Sequence, residues 1–379
     1  MQKIDSKISS LTSIRFFAAL LVAIHHTRTQ WAHTNFIDLL GQIGWLGVSY
    51  FFVLSGFVLM WRFDPKLPKS VFVWKRLARI YPLHFVCLVT SLVCFAFFLG
   101  PLGGYQGTLP GTVANFFLLH DWLPLHPEVR QAWNGVSWTL SCEFAFYLAA
   151  PFAFGLLLKI RSAASVFFCV AGAWALVFGV AIFAICNHLD PILDFLFYHP
   201  LPQFLEFLLG ASGAMLMRSG WTFKSVPISI AVMVIPVSIY CALVPENAGR
   251  QGEIMKLLFI PGAFLLIMSL VRRELNGATT VLRNKILVFL GDASYSFYMT
   301  HALLLGAFGI IARRWFPAIS GTALWGEIAT AIYLTAAIIL SAVMYRIFER
   351  PTNRLLLSTI RQSPKIVPSS GIAIVGSPD

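Results

Sequence analysis

Residues 11–29, LTSIRFFAALLVAIHHTRT, place one arginine and two adjacent histidines in a segment long and apolar enough to cross a membrane. An arginine at bilayer depth costs roughly 2.5–3.5 kcal/mol, so Arg15 needs a partner or a function. At about 100° per residue, Arg15 and His26 share a helix face, roughly 16 Å apart along the axis, and His25 points about 80° away. This face indicates a site that runs through the membrane. The alternative is that Arg15 snorkels to the headgroups and His26 faces a wet cavity.

A second group of cations occurs in the segment KRLARIYP, where Arg76 precedes Arg79 by three residues. This spacing places both guanidiniums on one helix face, just before the predicted third span. Paired guanidiniums bind phosphate oxygens in a bidentate manner, so they suit a phosphate-rich ligand. The alternative is a positively charged anchor for anionic lipid at the cytoplasmic surface.

A carboxylate lies within the apolar segment SWTLSCEFAFYL: Glu143, with Tyr147 one helical turn later. A charged side chain inside a membrane span is energetically costly and usually functional. Glu143 could orient a catalytic imidazole or bind an acceptor hydroxyl. The alternative is a structural hydrogen bond between helices.

A polar stripe is predicted in the segment GDASYSFYMTHALL, because Ser294, Tyr298 and His301 follow an i, i+4, i+7 pattern. Such a stripe in an apolar helix lines a cavity or binds a neighbouring helix. Farther along the chain, Glu349 in the segment FERP closes the last predicted span. It could pair with the arginines of the inner side, and a purely structural ion pair is the expected role.

The composition predicts that membrane helices position these side chains. Of the 379 residues, 58% are apolar and only 12% are charged, and the mean hydropathy is +0.77. These values are typical of an all-α, polytopic membrane protein and exclude a soluble one. The net charge of +12 does not indicate nucleic-acid binding, because the basic residues lie in short loops between spans. The six cysteines form no CxxC pair and indicate neither a disulfide nor a metal site.

About ten membrane spans are predicted, at residues 11–29, 43–61, 80–99, 138–158, 164–185, 193–217, 225–244, 255–271, 285–311 and 323–347. The loops on one side, together with both terminal segments, hold 21 Lys and Arg residues, against six on the other side. By the positive-inside rule both termini are cytoplasmic. We expect one transmembrane domain over residues 1–355 and a disordered cytoplasmic tail over residues 356–379.

Three segments of the sequence are less regular than a plain span or a short loop. Residues 47–60 contain two glycines and two serines, which favours close packing of neighbouring backbones. The span 193–217 contains prolines, Gln203 and Glu206, and could be partly re-entrant. The predicted outer loop, 100–137, is the longest, and its aromatic and polar side chains make it a candidate for binding outside the cytoplasm.

Taken together, these segments resemble the membrane-bound acyltransferase family 3, bacterial integral-membrane proteins that O-acylate extracytoplasmic glycans and related acceptors. The matching blocks follow the order of the family and reach from residue 11 to about residue 351. They are Arg15 with His26, GVSYFFVLSGF at 47–57, Arg76 with Arg79 before IYP, SWTLSCEFAFY at 137–147, the SYSFYMTH run ending at His301, and FERP at 348–351. Thr139 stands where the family more often has serine, and the SGNH hydrolase-like domain that some members carry has no counterpart in the sequence.

The resemblance implies a multi-pass enzyme of the bacterial inner membrane that moves an acyl group, acetyl above all, from cytoplasmic acyl-CoA to a hydroxyl group. It implies that His26 is the base or the acyl carrier and that Arg15, Arg76 and Arg79 bind the donor, with no permanently bound cofactor. Glu143 is the second expected catalytic residue. The expected acceptor is an extracytoplasmic carbohydrate or a lipid-linked glycan, such as an O-antigen or an exopolysaccharide.

Other functions would use some of the same features. A transporter or flippase of a glycan precursor also needs charges within the membrane, but the sequence contains no matching halves with broken helices. A non-catalytic scaffold of a glycan-assembly complex would explain the outer loop, but not an aligned arginine and histidine. Within the enzyme class, succinyl transfer and a small-molecule acceptor, such as an antibiotic, remain alternatives.

Overall fold

The computed structural model describes residues 8–98, 107–122, 126–243, 252–315 and 322–361. Helices dominate this part of the chain, and ten of them have at least 15 residues. These are α1 (Ser9–Thr27), α3 (Gly47–Trp61), α4 (Lys69–Phe98), α7 (Trp138–Leu157), α8 (Ala163–Cys186), α10 (Pro200–Arg218), α11 (Val226–Leu243), α12 (Gly252–Leu275), α14 (Ser294–Trp315) and α15 (Ala323–Met344).

Six shorter helices connect or extend the long ones. These are α2 (Asn35–Gly44), α5 (Leu109–Phe116), α6 (Pro127–Arg130), α9 (Asp190–Tyr198), α13 (Lys285–Asp292) and α16 (Arg350–Arg361). The chain bends by 46° between α2 and α3. A π-helical turn, Tyr345–Glu349, joins α15 to α16.

The predicted class, an all-α membrane protein with many spans, is confirmed. In the described ranges eight helices are long and apolar enough to cross a membrane, or up to nine if the bent pair of α2 and α3 is one span. The predicted span 193–217 is instead broken at His199 into α9 and α10, and neither of these is long and apolar enough to qualify. Pro200 begins α10 directly after the break, because proline is tolerated in the first turn of a helix and disrupts a helix interior.

Several predicted boundaries differ from the observed ones. Helix α4 begins at Lys69, so the predicted arginine pair lies inside a 30-residue helix and not just before a span. The predicted span 285–311 is interrupted at Ala293, between α13 and α14. Helix α16 continues to Arg361, so the first six residues of the predicted tail are helical. The remainder of that tail lies outside the described residues.

Helix α1 packs against α2, α3, α13 and α14, and glycines in these neighbours allow their backbones to approach it closely. A Cβ atom added at Gly44, Gly47 or Gly291 would overlap a backbone carbonyl group of α1. Small residues permit this kind of close approach between membrane helices. The position of α1, which carries Arg15 and His26, is therefore fixed by backbone contacts from several sides.

The first turn of α1 is held by Glu274, at the end of α12. Its carboxylate accepts hydrogen bonds from the backbone N–H groups of Ser9 (2.7 Å) and Ser10 (2.8 Å), and from the Ser10 hydroxyl (2.5 Å). The first N–H groups of a helix have no partner within it, and a negative charge is favourable at this end. One carboxylate thus fixes where α1 begins.

Helices α3 and α10 form the most closely packed pair in the bundle. A Cβ atom at Gly56 would overlap the carbonyl oxygen of Phe207, and one at Gly210 would overlap that of Val53. This confirms that the glycines of residues 47–60 serve close backbone packing. By contrast, α8 and α11 lie at the periphery and expose most of their apolar side chains, as expected for helices that face lipid.

We predict that Gly210→Ala strongly destabilises the protein, whereas Gly172→Ala on α8 does not. The new methyl group at position 210 would force apart two backbones, at a cost of about 1–3 kcal/mol. No atom lies within 4 Å of a Cβ atom built at Gly172, and alanine has a higher helix propensity than glycine. Thermal unfolding in detergent, monitored by size-exclusion fluorescence, compares the two variants. Equal melting temperatures would contradict this account of the α3–α10 contact.

Candidate active site

Three neighbouring cavities follow α1 from its first turn to its last. We call them the arginine cavity (about 930 Å³), the central cavity (about 800 Å³) and the histidine cavity (about 1130 Å³); each volume includes space open to solvent. The arginine and central cavities share Arg15, Arg76 and Arg79 in their walls. The central and histidine cavities share Val48 and Tyr298. The three cavities therefore form one row along the bundle, which we call the cavity row.

Three guanidiniums meet where the arginine cavity joins the central cavity. Helix α1 supplies Arg15, and α4 supplies Arg76 and Arg79 from one face. The Tyr295 hydroxyl of α14 donates a hydrogen bond of 2.5 Å to the carbonyl oxygen of Ile80, which fixes α4 directly beside this cluster. The two arginine motifs of the sequence thus belong to one site.

In the part of the chain that the structure describes, no carboxylate lies within 4.0 Å of these guanidiniums. The ion pairs found there involve other residues. The Nε atom of Arg76 is buried without a hydrogen-bond partner. Glu143 and Glu349 attract Arg79 electrostatically from a greater distance. A cluster of half-buried cations with unused donors can bind an anion that approaches through the arginine cavity.

Glu349 was expected to pair with an arginine, and this expectation is wrong in detail. Its carboxylate accepts a hydrogen bond of 2.5 Å from the Ser296 hydroxyl, and no arginine lies within ion-pair distance among the described residues. The π-helical turn places this buried carboxylate in the wall of the arginine cavity. Its electrostatic attraction to Arg79 is the part of the predicted interaction that remains.

Glu143 and Tyr147 lie in the central cavity with the arginines and not beside His26. The Tyr147 hydroxyl donates a hydrogen bond of 2.6 Å to the Glu143 carboxylate. All three arginines interact electrostatically with this carboxylate. The predicted role of Glu143 in orienting the imidazole therefore does not fit its position, because it belongs to the cation cluster.

Val48 of α3 and Tyr298 of α14 line both the central cavity and the histidine cavity, so they form the boundary between the two. The Tyr298 hydroxyl donates to the carbonyl oxygen of Val136 (3.1 Å) and accepts from the Thr139 hydroxyl (3.1 Å). Ser294 lines the central cavity one turn earlier and donates to a carbonyl oxygen of α13. Tyr298 is thus held rigidly, and we call the Val48–Tyr298 boundary the neck.

His26 lies beyond the neck, in the wall of the histidine cavity. Its Nδ1 atom is 2.8 Å from the carbonyl oxygen of Val22 and 3.3 Å from Nε2 of His301. Because a carbonyl oxygen only accepts, Nδ1 must carry the proton of the neutral ring. The other nitrogen, Nε2, therefore has a free electron pair and can act as a base or a nucleophile.

His25 lines the same cavity, although the helix geometry predicts that it points about 80° away from the shared face. Its Nδ1 atom is 2.7 Å from the carbonyl oxygen of Gly41 in α2. The rings of His25 and His26 are 5.2 Å apart, and so are those of His26 and His301. The structure thus brings together three imidazoles, and the ring of His26 lies close to each of the other two.

Aromatic side chains form much of the remaining wall of the histidine cavity, and sequence patterns did not single them out. These are Trp45, Trp138, Phe197 and Tyr198. The chain break at His199 places the last two there, so the irregular span 193–217 indicated them only indirectly.

Lys256 also lines this cavity and is another residue that the sequence analysis missed. It is buried, and its ammonium group donates to the Gln203 side chain (3.2 Å) and lies 3.8 Å from the Glu206 carboxylate. The polar residues within span 193–217 were therefore a signal of a buried ion pair. In the described ranges no group of three or more His, Cys, Asp or Glu side chains could hold a metal ion.

Comparison with known proteins shows similarity to acyltransferases. A family model described as an acyltransferase domain matches residues 8–347. The chain is 33% identical to the acyltransferase MdmB of Streptomyces mycarofaciens, over 92% of each protein.

The names of two further relatives refer to exopolysaccharide and to peptidoglycan. The chain is 27% identical to the exopolysaccharide production protein ExoZ of Rhizobium meliloti, over 82% of this chain and 90% of ExoZ. It is 26% identical to the peptidoglycan O-acetyltransferase OatA of Listeria monocytogenes, over 38% of this chain and 24% of OatA. No solved structure matches the chain significantly.

Proposed function

Since this chain belongs to the acyltransferase family whose domain model spans residues 8–347, we propose that it transfers an acyl group across the membrane, from cytoplasmic acyl-CoA to an acceptor hydroxyl on the opposite side. The cavity row is the observation that carries this proposal, because it has an anion site at one end and an imidazole with a free electron pair at the other. Acetyl is the acyl group that we propose.

The arginine cavity is the proposed donor site. Arg15, Arg76 and Arg79 supply donors for the phosphate groups of CoA, and the excess of Lys and Arg on this side favours a cytoplasmic location. The separation of Arg15 and His26 is roughly 16 Å along α1. An extended pantetheine arm has about this length, so a thioester whose phosphates lie at the arginines would reach the histidine cavity through the neck.

The proposed reaction uses Nε2 of His26. It takes the proton of the acceptor hydroxyl while the oxygen attacks the thioester carbonyl carbon. The tetrahedral intermediate then breaks its carbon–sulfur bond, and the CoA sulfur takes the proton from Nε2. In a second route Nε2 itself attacks the carbonyl carbon, the carbon–sulfur bond breaks and CoA leaves as a thiolate; the acceptor oxygen then takes the acyl group from Nε2, and the hydroxyl proton passes to the CoA thiolate. Both routes need the Nδ1–H form of His26.

The histidine cavity is the proposed acceptor site. Its aromatic walls suit the apolar faces of a sugar ring, and the names of ExoZ and OatA support a carbohydrate. A hydroxylated small molecule is the second candidate acceptor, because large apolar side chains together with a few polar groups line the cavity, as in small-molecule sites. Mass spectrometry of surface polysaccharide from cells with and without the protein tests the first. An unchanged acyl content, together with acylation of a small molecule, would favour the second.

His26→Ala should abolish transfer from radiolabelled acetyl-CoA in membrane vesicles, by about 100-fold or more, because the base is lost. His25→Ala is the matched control, since its imidazole lines the same cavity without the contact to His301. We expect this control to retain at least about a tenth of the activity. Immunoblotting verifies equal insertion of both variants. Full activity of His26→Ala would rule out the mechanism.

Arg76→Ala and Arg79→Ala should each raise the KM for acetyl-CoA by about tenfold, the loss of one charge-assisted interaction, with a smaller effect on the KM for the acceptor. Lys75→Ala is the control, because Lys75 is an exposed neighbour outside the cavity walls. Lipid anchoring predicts similar effects at positions 75 and 76. Such a result in steady-state kinetics would assign these arginines to lipid anchoring and not to donor binding.

Val48→Phe should block the neck, since the larger ring would fill the space between Val48 and Tyr298. We expect at least a tenfold loss of transfer, while acetyl-CoA still binds with unchanged affinity at the arginines. Val48→Ala keeps the neck open and serves as the control. Isothermal titration and rate measurements on the same preparations separate binding from transfer. Undiminished transfer by Val48→Phe would show that the acyl group takes another path.

A further inference from the structure

The geometry points to His301 as a positioning residue for His26: its Nε2 atom accepts the Nδ1 proton of His26 and aims the opposite nitrogen into the histidine cavity. This inference rests on the proposed function, because it assigns a role within the same site. It adds an interaction that neither the family match nor the relatives' names contain.

The protonation of His301 follows from its own contacts. Its Nδ1 atom is 2.7 Å from the carbonyl oxygen of Tyr298, which can only accept a hydrogen bond. In the neutral ring Nδ1 therefore carries the proton, and Nε2 is left as an acceptor. That acceptor lies 3.3 Å from Nδ1 of His26. The two imidazoles thus have complementary roles without any rearrangement of protons.

The Nδ1–H group of His26 is shared between two acceptors. One is the carbonyl oxygen of Val22, one turn earlier in the same helix, at 2.8 Å. The other is His301, on α14. The first contact is local to α1 and is compatible with small rotations of the ring. The second ties the ring to another helix, so it determines how Nε2 is directed relative to the neck.

His301 is well suited to this role because it is itself immobile. The side chain is fully buried, and its ring stacks on Phe297 with a centroid distance of 6.0 Å and an interplanar angle of 9°. The Tyr333 hydroxyl of α15 donates to the carbonyl oxygen of His301 (3.2 Å). These contacts hold both the backbone and the ring of His301 in place, and His301 in turn orients His26.

A neutral imidazole also solves an electrostatic difficulty of a site within the membrane. Catalytic histidines in water-soluble enzymes are oriented by a carboxylate, and a carboxylate at this depth would be costly. His301 accepts the same hydrogen bond without a charge. When Nε2 of His26 takes the acceptor's proton, the Nδ1–H bond to His301 becomes charge-assisted and therefore stronger. The hydrogen bond to His301 thus stabilises the transition state more than it stabilises the resting enzyme.

The decisive comparison is between His301→Phe and His301→Gln. Phenylalanine keeps a ring of similar size but has no acceptor, whereas the glutamine amide reaches the position of Nε2 and can accept through its oxygen. We expect His301→Phe to lower kcat about 100-fold with the KM values for acetyl-CoA and acceptor unchanged within about threefold. His301→Gln should recover kcat to within about tenfold of the parent. Thr335→Ala is the control, because Thr335 is an exposed residue of α15 outside the cavity walls, and its kcat should stay within about twofold.

A second measurement does not depend on activity. The proton on Nδ1 of His26, identified by its absence in His26→Ala, should resonate downfield in proton NMR spectra of histidine-labelled protein. In His301→Phe this resonance should move upfield, and in His301→Gln it should stay close to the parent position. The inference is overturned if the resonance is the same in all three proteins, or if His301→Phe and His301→Gln have equal kcat values. If the parent protein transfers no acyl group from acetyl-CoA, the proposed function fails, and the NMR result alone then decides the contact.

Discussion

The close approach of backbones around α1 is the constraint on which the remaining structure depends. Neighbouring helices present glycines to its carbonyl groups, and Glu274 holds its first turn. A helix confined in this way can neither slide nor rotate appreciably. Because Arg15 and His26 are separated by a fixed number of residues, confinement of the helix fixes where each stands in the bundle. The cavity row follows α1 from its first turn to its last.

The distribution of charge along the cavity row follows from the cost of placing ions in lipid. The three guanidiniums share one region with Glu143 and Glu349 at a distance, which moderates their repulsion without occupying their donors. Beyond the neck lie three imidazoles hydrogen-bonded to backbone carbonyls, and the one cation named there, Lys256, is paired with Glu206. In the proposed function, this arrangement would separate binding of an anion from proton transfer by distance within one helix bundle.

Much of the site could be predicted from the sequence because helical spacing determines which residues share a face. Arg15 was recognisable as a cation inside an apolar segment, Arg76 and Arg79 were recognisable as a pair on one helix face, and the stripe that ends at His301 was recognisable from its period. Spacing along one helix says nothing about which face of another helix lies opposite. For this reason the sequence left several roles open for Glu143, one of them beside the imidazole, whereas tertiary packing places it with the arginines.

In the fold, too, features that depend on the local sequence could be predicted, whereas features that depend on tertiary packing could not. Apolar runs predicted the long helices, since a span must satisfy its backbone hydrogen bonds internally. Span 193–217 was expected to be irregular, but the positions of the breaks at His199 and Ala293 were not predicted, because a break is stabilised by contacts made after the helices have packed. Lys256 illustrates the point: counted in the sequence as a charge of the outer side, it is buried against Gln203 and Glu206 of another helix.

The proposed function requires the cavity row to connect the two faces of a bilayer, which raises the question of leakage. Water that fills such a path would also conduct hydronium and sodium ions and would drain the gradients that a cell maintains. The guanidiniums at the junction of the first two cavities create a positive potential in that path, which repels small cations as fixed arginines do in selective pores. The neutral acyl group and the anionic carrier of the proposed function would experience no such barrier. The same three side chains would thus prevent leakage of cations through the membrane while the acyl donor can still enter the path.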